Sequence, residues 1–274
     1  MEKLSQAIER YKQSTNGAGS RSERYEGSRP VPPPIVYTRT RMVECQEEVL
    51  RRNRVLTAFE HGAFADSYQL LRTQVLHRLR ENRWNVLGVT SPRTQEGKTL
   101  TALNLAIALA METTQTVMLI DANLKQPQVH VLLGLGACRG LADYVLEDVE
   151  LGDVLVHPGL GRLVVLPGGR SIQRSSEILT SPRMSALIAE VKHRYPARII
   201  VVDLPPLLTC ADVLAFAPSL DALLLVAGEG VTTRRDVEEA LGLVRGATPV
   251  LGTVLNQSGK SQGNLKAMRE LAAV

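Results

Sequence analysis

The sequence predicts an α/β chain built on a mainly parallel sheet with helices on both faces, and three observations carry that prediction. Short apolar runs alternate with helical patterns between residues 85 and 255. A Gly97-Lys98-Thr99 turn stands between one such run and a long alanine- and leucine-rich helix. Two further runs each end on an aspartate, Asp121 and Asp203. A carboxylate at the carboxyl end of a buried strand lies on the sheet edge where such folds hold ligands.

The elements follow in order. With 44% hydrophobic residues the chain can bury a core, and with only 4% aromatics that core must be mostly Leu, Val, Ile and Ala. Residues 1–13 place Leu4, Ala7, Ile8 and Tyr11 on one face and predict a short amphipathic helix. Residues 14–34 are rich in Ser, Gly, Arg and Pro and end in Arg29-Pro30-Val31-Pro32-Pro33-Pro34, a linker that is first flexible and then extended. Residues 43–59 read as a charged helix with Val43, Leu50, Val55 and Leu56 as its apolar positions. A boundary is expected near His61-Gly62. Residues 65–81 give a second helix, with Tyr68, Leu71, Val75, Leu76 and Leu79 as its stripe.

Strands are expected over 85–90, 116–120, 163–166, 199–202, 222–226 and 250–255, and helices over 100–111, 182–194 and 234–244. The chain thus divides into an N-terminal arm (1–62), an α/β domain (63–257) and a tail with a short helix (258–274). A net charge of +4 is too small to argue for nucleic acid, and solvated arginine-rich helix faces account for it. Cys45, Cys138 and Cys210 are odd in number and lack metal-ligand spacing, so reduced thiols in a cytoplasmic chain are expected. No apolar run approaches about 18 residues, so any membrane association is expected to run through a partner.

The turn after the first strand carries the chemistry. A nucleotide's phosphates need inward-pointing backbone N–H groups, a lysine for the outer phosphates and a hydroxyl for magnesium. Thr94-Gln95-Glu96-Gly97-Lys98-Thr99-Leu100 supplies all three at a helix start. The full phosphate-loop pattern would have its first glycine where Pro92 stands. Asp121 and Asp203, at the ends of two other strands, complete a magnesium site with Thr99. The fold expected is therefore that of a P-loop NTPase.

Several blocks beyond the loop occur in a characteristic order. They are Tyr68-Gln69-Leu70-Leu71-Arg72-Thr73, residues 117–127, Leu166-Pro167-Gly168-Gly169 with Ser176-Glu177-Ile178-Leu179, residues 199–206 with Asp212, Gly230-Val231-Thr232-Thr233, and Gly252-Thr253-Val254-Leu255-Asn256. In this the chain resembles the bacterial tyrosine kinases of capsule and exopolysaccharide synthesis, which group with the partition-type P-loop ATPases. The resemblance implies ATP and Mg2+ as cofactors. It implies that Lys98 holds the outer phosphates, that Thr99, Asp121 and Asp203 serve the metal directly or through water, and that Asn256 meets the adenine. It also implies self-assembly and a membrane-spanning chain-length determinant protein as partner, which would recruit the chain to the inner face of the cell membrane.

The pattern is departed from at four places. Thr94-Gln95 replaces the usual Pro-Gly, so a positive φ at Gln95 would cost about 1 kcal/mol. Asn123 stands where the kinases have the aspartate that helps activate the attacking tyrosine hydroxyl, and an amide cannot accept a proton; Lys125 replaces an arginine. Residues 258–274 contain no tyrosine, and Tyr11, Tyr25 and Tyr37 lie in the arm. Asp66, Gln69 and Arg72 stand at the Glu-x-x-Arg-x-x-Arg of ring-forming relatives, so only the last charge pair could survive. Arg93, at the position of a second lysine in partition ATPases, is expected to be a surface arginine. Three functions therefore follow in descending order: a tyrosine autokinase of polysaccharide export, an ATP-driven switch on a polysaccharide machine that phosphorylates no tyrosine, and a partition or septum-placing ATPase.

Overall fold

The computed structural model describes residues 40–59, 62–112, 115–147, 149–194 and 198–258. The helix expected at 1–13, the linker, Tyr11, Tyr25, Tyr37 and the tail from residue 259 lie outside the described residues.

The apolar runs at 86–90, 117–121, 163–166, 198–203 and 222–228 form the centre of the sheet because each is buried on both faces, which only a strand between two helical layers allows. The strands are β1 (Arg41–Met42), β2 (Val86–Thr90), β3 (Thr116–Asp121), β4 (Val156–His157), β5 (Leu163–Leu166), β6 (Arg198–Asp203), β7 (Ala222–Gly228) and β8 (Val250–Asn256). Their order is β1-β4-β5-β3-β6-β2-β7-β8. All neighbours pair in parallel except β4 with β5. Alternation along each strand sends side chains to two cores. Leu87, Val89, Val117, Leu119, Ile199, Val201, Ala222 and Leu224 face one layer. Val86, Met118, Ile120, Ile200, Val202, Leu223 and Leu225 face the other.

The helix Lys98–Ala110 is buried along nearly its whole length, Leu100 alone being partly exposed. An all-round apolar helix of this kind belongs in the middle of a layer, and it packs on β2, β3 and β6. Beside it lies the helix Ala63–Asn82, which buries Tyr68, Val75, Leu76 and Leu79. The helices Pro182–Arg194 and Arg234–Val244 match their expected spans.

The region 43–59 differs from its expectation. Only Glu47–Arg52 is helical, because Arg54 turns left-handed at φ 59° and Val55 N–H bonds back to the Leu50 carbonyl at 2.8 Å. That reversal places both Leu50 and Val55 in the core at 0% exposure. Residues 41–59, placed in the arm by the sequence pattern, thus pack with the sheet. Their two-residue strand β1 extends it through β4, and strands that short leave no periodicity to read.

Candidate functional site

The carboxyl ends of β2, β3 and β6 meet on one edge. In the β3–β6 ladder Asp121 is the register partner of Asp203, and in the β2–β6 ladder Asp203 faces Val89, two residues before the phosphate loop. Both aspartates are fully buried. The sequence-predicted residues Lys98, Thr99, Asp121 and Asp203 therefore come together.

Within the loop, Gln95 has φ 65° and Gly97 has φ 84°. The first costs about 1 kcal/mol for a residue with a Cβ; the second is glycine's own region. This pair of turns delivers the chain into the helix Lys98–Ala110, whose first-turn N–H groups have no partner within the helix and carry its positive dipole end. Lys98 Nζ donates to Thr99 Oγ1 at 3.0 Å and lies 3.8 Å from Asp203 Oδ1. Thr99 Oγ1 in turn donates to Asp203 Oδ2 at 2.8 Å.

Asp203 Oδ1 is buried without a hydrogen-bond donor among the described residues. Asp121 is held differently: it accepts from Gln128 and Val129 N–H at 3.0 Å each and from Asn123 N–H at 3.3 Å. Burial, and then the charge of Asp203 beside it, push the Asp121 carboxyl up to about 7, against the pull of Val129 N–H and Lys98. Burial also raises Asp203, opposed by Lys98 and Thr99.

Two buried carboxylates, an unsatisfied carboxylate oxygen and a threonine hydroxyl fit a divalent cation held jointly by protein and phosphate oxygens. Among the described residues no group of three or more His, Cys, Asp or Glu could hold a metal by itself. Magnesium at nucleotide sites needs none, since one or two carboxylates, water and phosphate complete its shell.

A pH dependence follows from Asp121. Between about pH 4 and pH 7 the folded chain keeps a proton that the unfolded chain has released. The resulting stability is complete below about pH 4 and is lost as the pH rises through about 7. In chelator, the melting temperature is expected to fall between pH 5 and pH 8, and Asp121→Asn to flatten that slope. A flat wild-type profile would contradict the assignment.

The far end of the sheet clamps the loop from β7 and β8. Glu96, fully buried, accepts from Arg93 N–H at 2.7 Å and from the Thr232 hydroxyl. The Asn256 amide donates to the Glu96 carbonyl at 3.0 Å. Gln257, itself at φ 62°, donates to the Gln95 carbonyl at 2.8 Å. A Cβ on Gly97 would sit 2.1 Å from Asn256 Nδ2, so glycine is required there twice over. Asn256, assigned to adenine by resemblance, here braces the phosphate loop. Thr232 and Gln257 had no role in the sequence reading, since their contacts span 136 and 162 residues and leave no local signal.

Asn123 is nearly buried and its amide donates to the Gln126 carbonyl of its own turn at 2.9 Å. Lys125 lies 3.7 Å from the fully buried Asp212, which also accepts from Ser175 and from Ser176 at 2.7 Å. Arg93, 55% exposed at its side chain, bonds Asp236 at 2.7 Å across the loop. Thr94 and Leu100 flank the turn.

No family model matches the chain. It is 30% identical to the tyrosine-protein kinase etk of Escherichia coli K12 over 70% of its own length and spans only 26% of that protein. It is 28% identical to the tyrosine-protein kinase CpsD of Streptococcus agalactiae, over 71% of this chain and 83% of that one. The kinase domain of Escherichia coli ETK superposes with a TM-score of 0.69 at 26% identity, covering 83% and 91% of the two chains. The septum site-determining protein MinD of Pyrococcus horikoshii, complexed with Mg-ADP, shares the fold at a TM-score of 0.55 and 20% identity, over 68% of this chain and 76% of that one. With its sheet order, its loop and its paired strand-end aspartates, the chain belongs to the bacterial tyrosine kinase family.

Proposed function

We propose that this chain binds ATP with Mg2+ at the loop and acts as a tyrosine-kinase-like regulator of exopolysaccharide or capsule polymerisation and export. The observation that supports it most is the convergence of Lys98, Thr99, Asp121 and Asp203 at the start of one helix. Lys98 and the N–H groups from Thr94 to Leu100 hold the phosphates. Thr99 and Asp203 hold the metal, and Asp121 joins them directly or through water. Magnesium would neutralise charge on the transferring phosphoryl group. Asn123 orients the attacking tyrosine hydroxyl by hydrogen bond and takes no proton. Self-association, and a chain-length determinant partner that brings the chain to the inner membrane face, belong to the same proposal. No helix among the described residues is long and apolar enough to cross a membrane.

Asn123 also favours a second reading, in which ATP occupancy switches the polysaccharide machine and no tyrosine is modified. Phosphotyrosine mapping by mass spectrometry separates the two, using protein incubated with ATP and Mg2+, with and without the membrane partner, beside Lys98→Ala. Phosphotyrosine that disappears in Lys98→Ala supports the kinase. Its absence, together with Mg2+-dependent ATP hydrolysis, supports the switch. Equal labelling of both proteins would overturn both readings.

A further inference from the structure

Asp212 is a fully buried carboxylate outside the phosphate loop and the metal site. It begins the helix Asp212–Phe216, in the stretch that follows β6. Its partners come from the stretches that follow two other strands. After β5, the helix Ser175–Leu179 supplies Ser175 and Ser176, whose hydroxyls donate to it, the second at 2.7 Å. After β3, the turn 123–126 supplies Lys125, whose Nζ lies 3.7 Å from Asp212 Oδ1. The three strands stand side by side in the order β5-β3-β6. One carboxylate therefore ties together the three segments that leave their carboxyl ends.

Burying an ionised group is costly unless it is paired and hydrogen-bonded. An apolar side chain would fill the same space at no such cost, as Val213 and Phe216 do beside it. The charge at Asp212 therefore calls for a task beyond filling, and Lys125 indicates which.

Lys125 belongs to the turn that carries Asn123. The turn is closed on itself, since the Asn123 amide donates to the Gln126 carbonyl at 2.9 Å and the Gln126 N–H donates to the Asn123 carbonyl at 3.0 Å. One side hangs on Asp121, through the N–H groups of Asn123, Gln128 and Val129. The other side is fastened to the stretch after β5. There the Ser171 hydroxyl donates to the Lys125 carbonyl at 2.7 Å, and the Ile172 N–H donates to the Leu124 carbonyl at 2.8 Å. That stretch also passes against the site itself. A Cβ on Gly168 would meet Pro127 at 2.5 Å and the Asp121 carboxyl carbon at 3.3 Å. The place of Asn123 relative to Asp121 is thus set by where the far side of its turn is anchored, and Lys125 with Asp212 is the charged anchor.

We propose that Asp212 is a positioning residue, which through Lys125 holds the turn 123–126 so that Asn123 meets the group attacking the outer phosphate, whether tyrosine hydroxyl or water. This rests on the ATP reading above. The pair acts on the rate of phosphoryl transfer and not on ATP affinity, because neither residue belongs to the phosphate loop or the metal site.

The full chain is compared with Asp212→Asn, Lys125→Met, the two combined, and Lys125→Arg, which keeps the charge. ATP affinity in Mg2+ is read by calorimetric titration. Turnover is read as ADP release, which counts transfer to tyrosine and to water alike, with and without the membrane partner. Asp212→Asn and Lys125→Met are each expected to slow ADP release about tenfold, a size that a small misplacement of a reacting group produces. The combined variant should be no slower than either, because the two residues act as one unit. Lys125→Arg should keep most of the turnover, and every variant should bind ATP as the wild type does. Melting curves fix a temperature at which each protein is folded. Should Asp212→Asn not fold, Lys125→Met against Lys125→Arg still decides, since the Lys125 side chain is 37% exposed. The proposal is overturned by unchanged turnover in Lys125→Met, by losses that multiply in the combined variant, by a matching loss of ATP affinity, or by a wild type that binds ATP and releases no ADP. A wild type that binds no ATP would sink the underlying reading as well, and the titration tells that failure apart.

Discussion

Replacing Lys98 with alanine is expected to lower ATP affinity about 100-fold or more. Hydrogen bonds to charged groups contribute about 1.5–3 kcal/mol each, and each 1.4 kcal/mol is a factor of ten, so losing an ammonium that would meet two phosphate oxygens reaches that range. A second consequence concerns the empty protein. Lys98 is the cation nearest Asp203, at 3.8 Å, and its charge opposes the upward shift of both buried aspartates. Without it, Asp121 and Asp203 face each other with no compensating charge. The melting temperature of Lys98→Ala should therefore fall more at pH 8 than at pH 6, because the lost charge opposes the upward shift of both carboxyls. Calorimetric titration with ATP and thermal melts at pH 6 and pH 8 check the two halves separately. Wild-type affinity in the variant would remove Lys98 from the site.

Asn104→Leu is expected to cost about 3–5 kcal/mol of stability, since it strands several polar groups at once. Asn104 is fully buried in the helix that begins at Lys98. Its Oδ1 accepts from Leu56 N–H at 3.1 Å, Thr57 N–H at 3.3 Å and the Thr57 hydroxyl at 3.1 Å. Its Nδ2 donates to the Arg54 and Leu100 carbonyls at 3.1 Å. Leucine fills the space and satisfies none of these groups. At about 2–4 °C per kcal/mol for a domain of this size, the melting temperature should drop by roughly 10 °C. Because four of these bonds tie the segment from Arg54 to Thr57 to the helix, hydrogen exchange there should rise more than in β2 or β3. A loss below about 1 kcal/mol would mean that the segment has other anchors.

Strands β2, β3, β5, β6, β7 and β8 and the main helices were legible because each is an apolar run or a helical pattern bounded by polar turns. Asp121 and Asp203 were legible as a pair because parallel strands bring all their carboxyl ends to one edge; the register then sets them opposite each other. The positive φ considered for Gln95 is present. What escaped were features fixed by distant partners. Asn104 reads in sequence as a polar residue in an apolar helix, and all its partners except the Leu100 carbonyl lie 47 to 50 residues away. The bond from the Asn256 amide to the Glu96 carbonyl spans 160 residues. The charged stretch 43–59 read as one helix because its apolar positions fit that period. Only the reversal at Arg54, pinned by Asn104, shows why Leu50 and Val55 both face inward.

Equilibrium titration of ATP into metal-free protein, in chelator and in Mg2+, tests most directly whether the loop and the two strand-end aspartates form one magnesium-nucleotide site. One ATP per chain is expected, bound more tightly with Mg2+ than without. That Mg2+ enhancement should vanish in Asp203→Asn, which keeps an oxygen for the Thr99 hydroxyl while removing the charge. Binding that is equally tight in chelator, or a Mg2+ enhancement that survives in Asp203→Asn, would contradict the site.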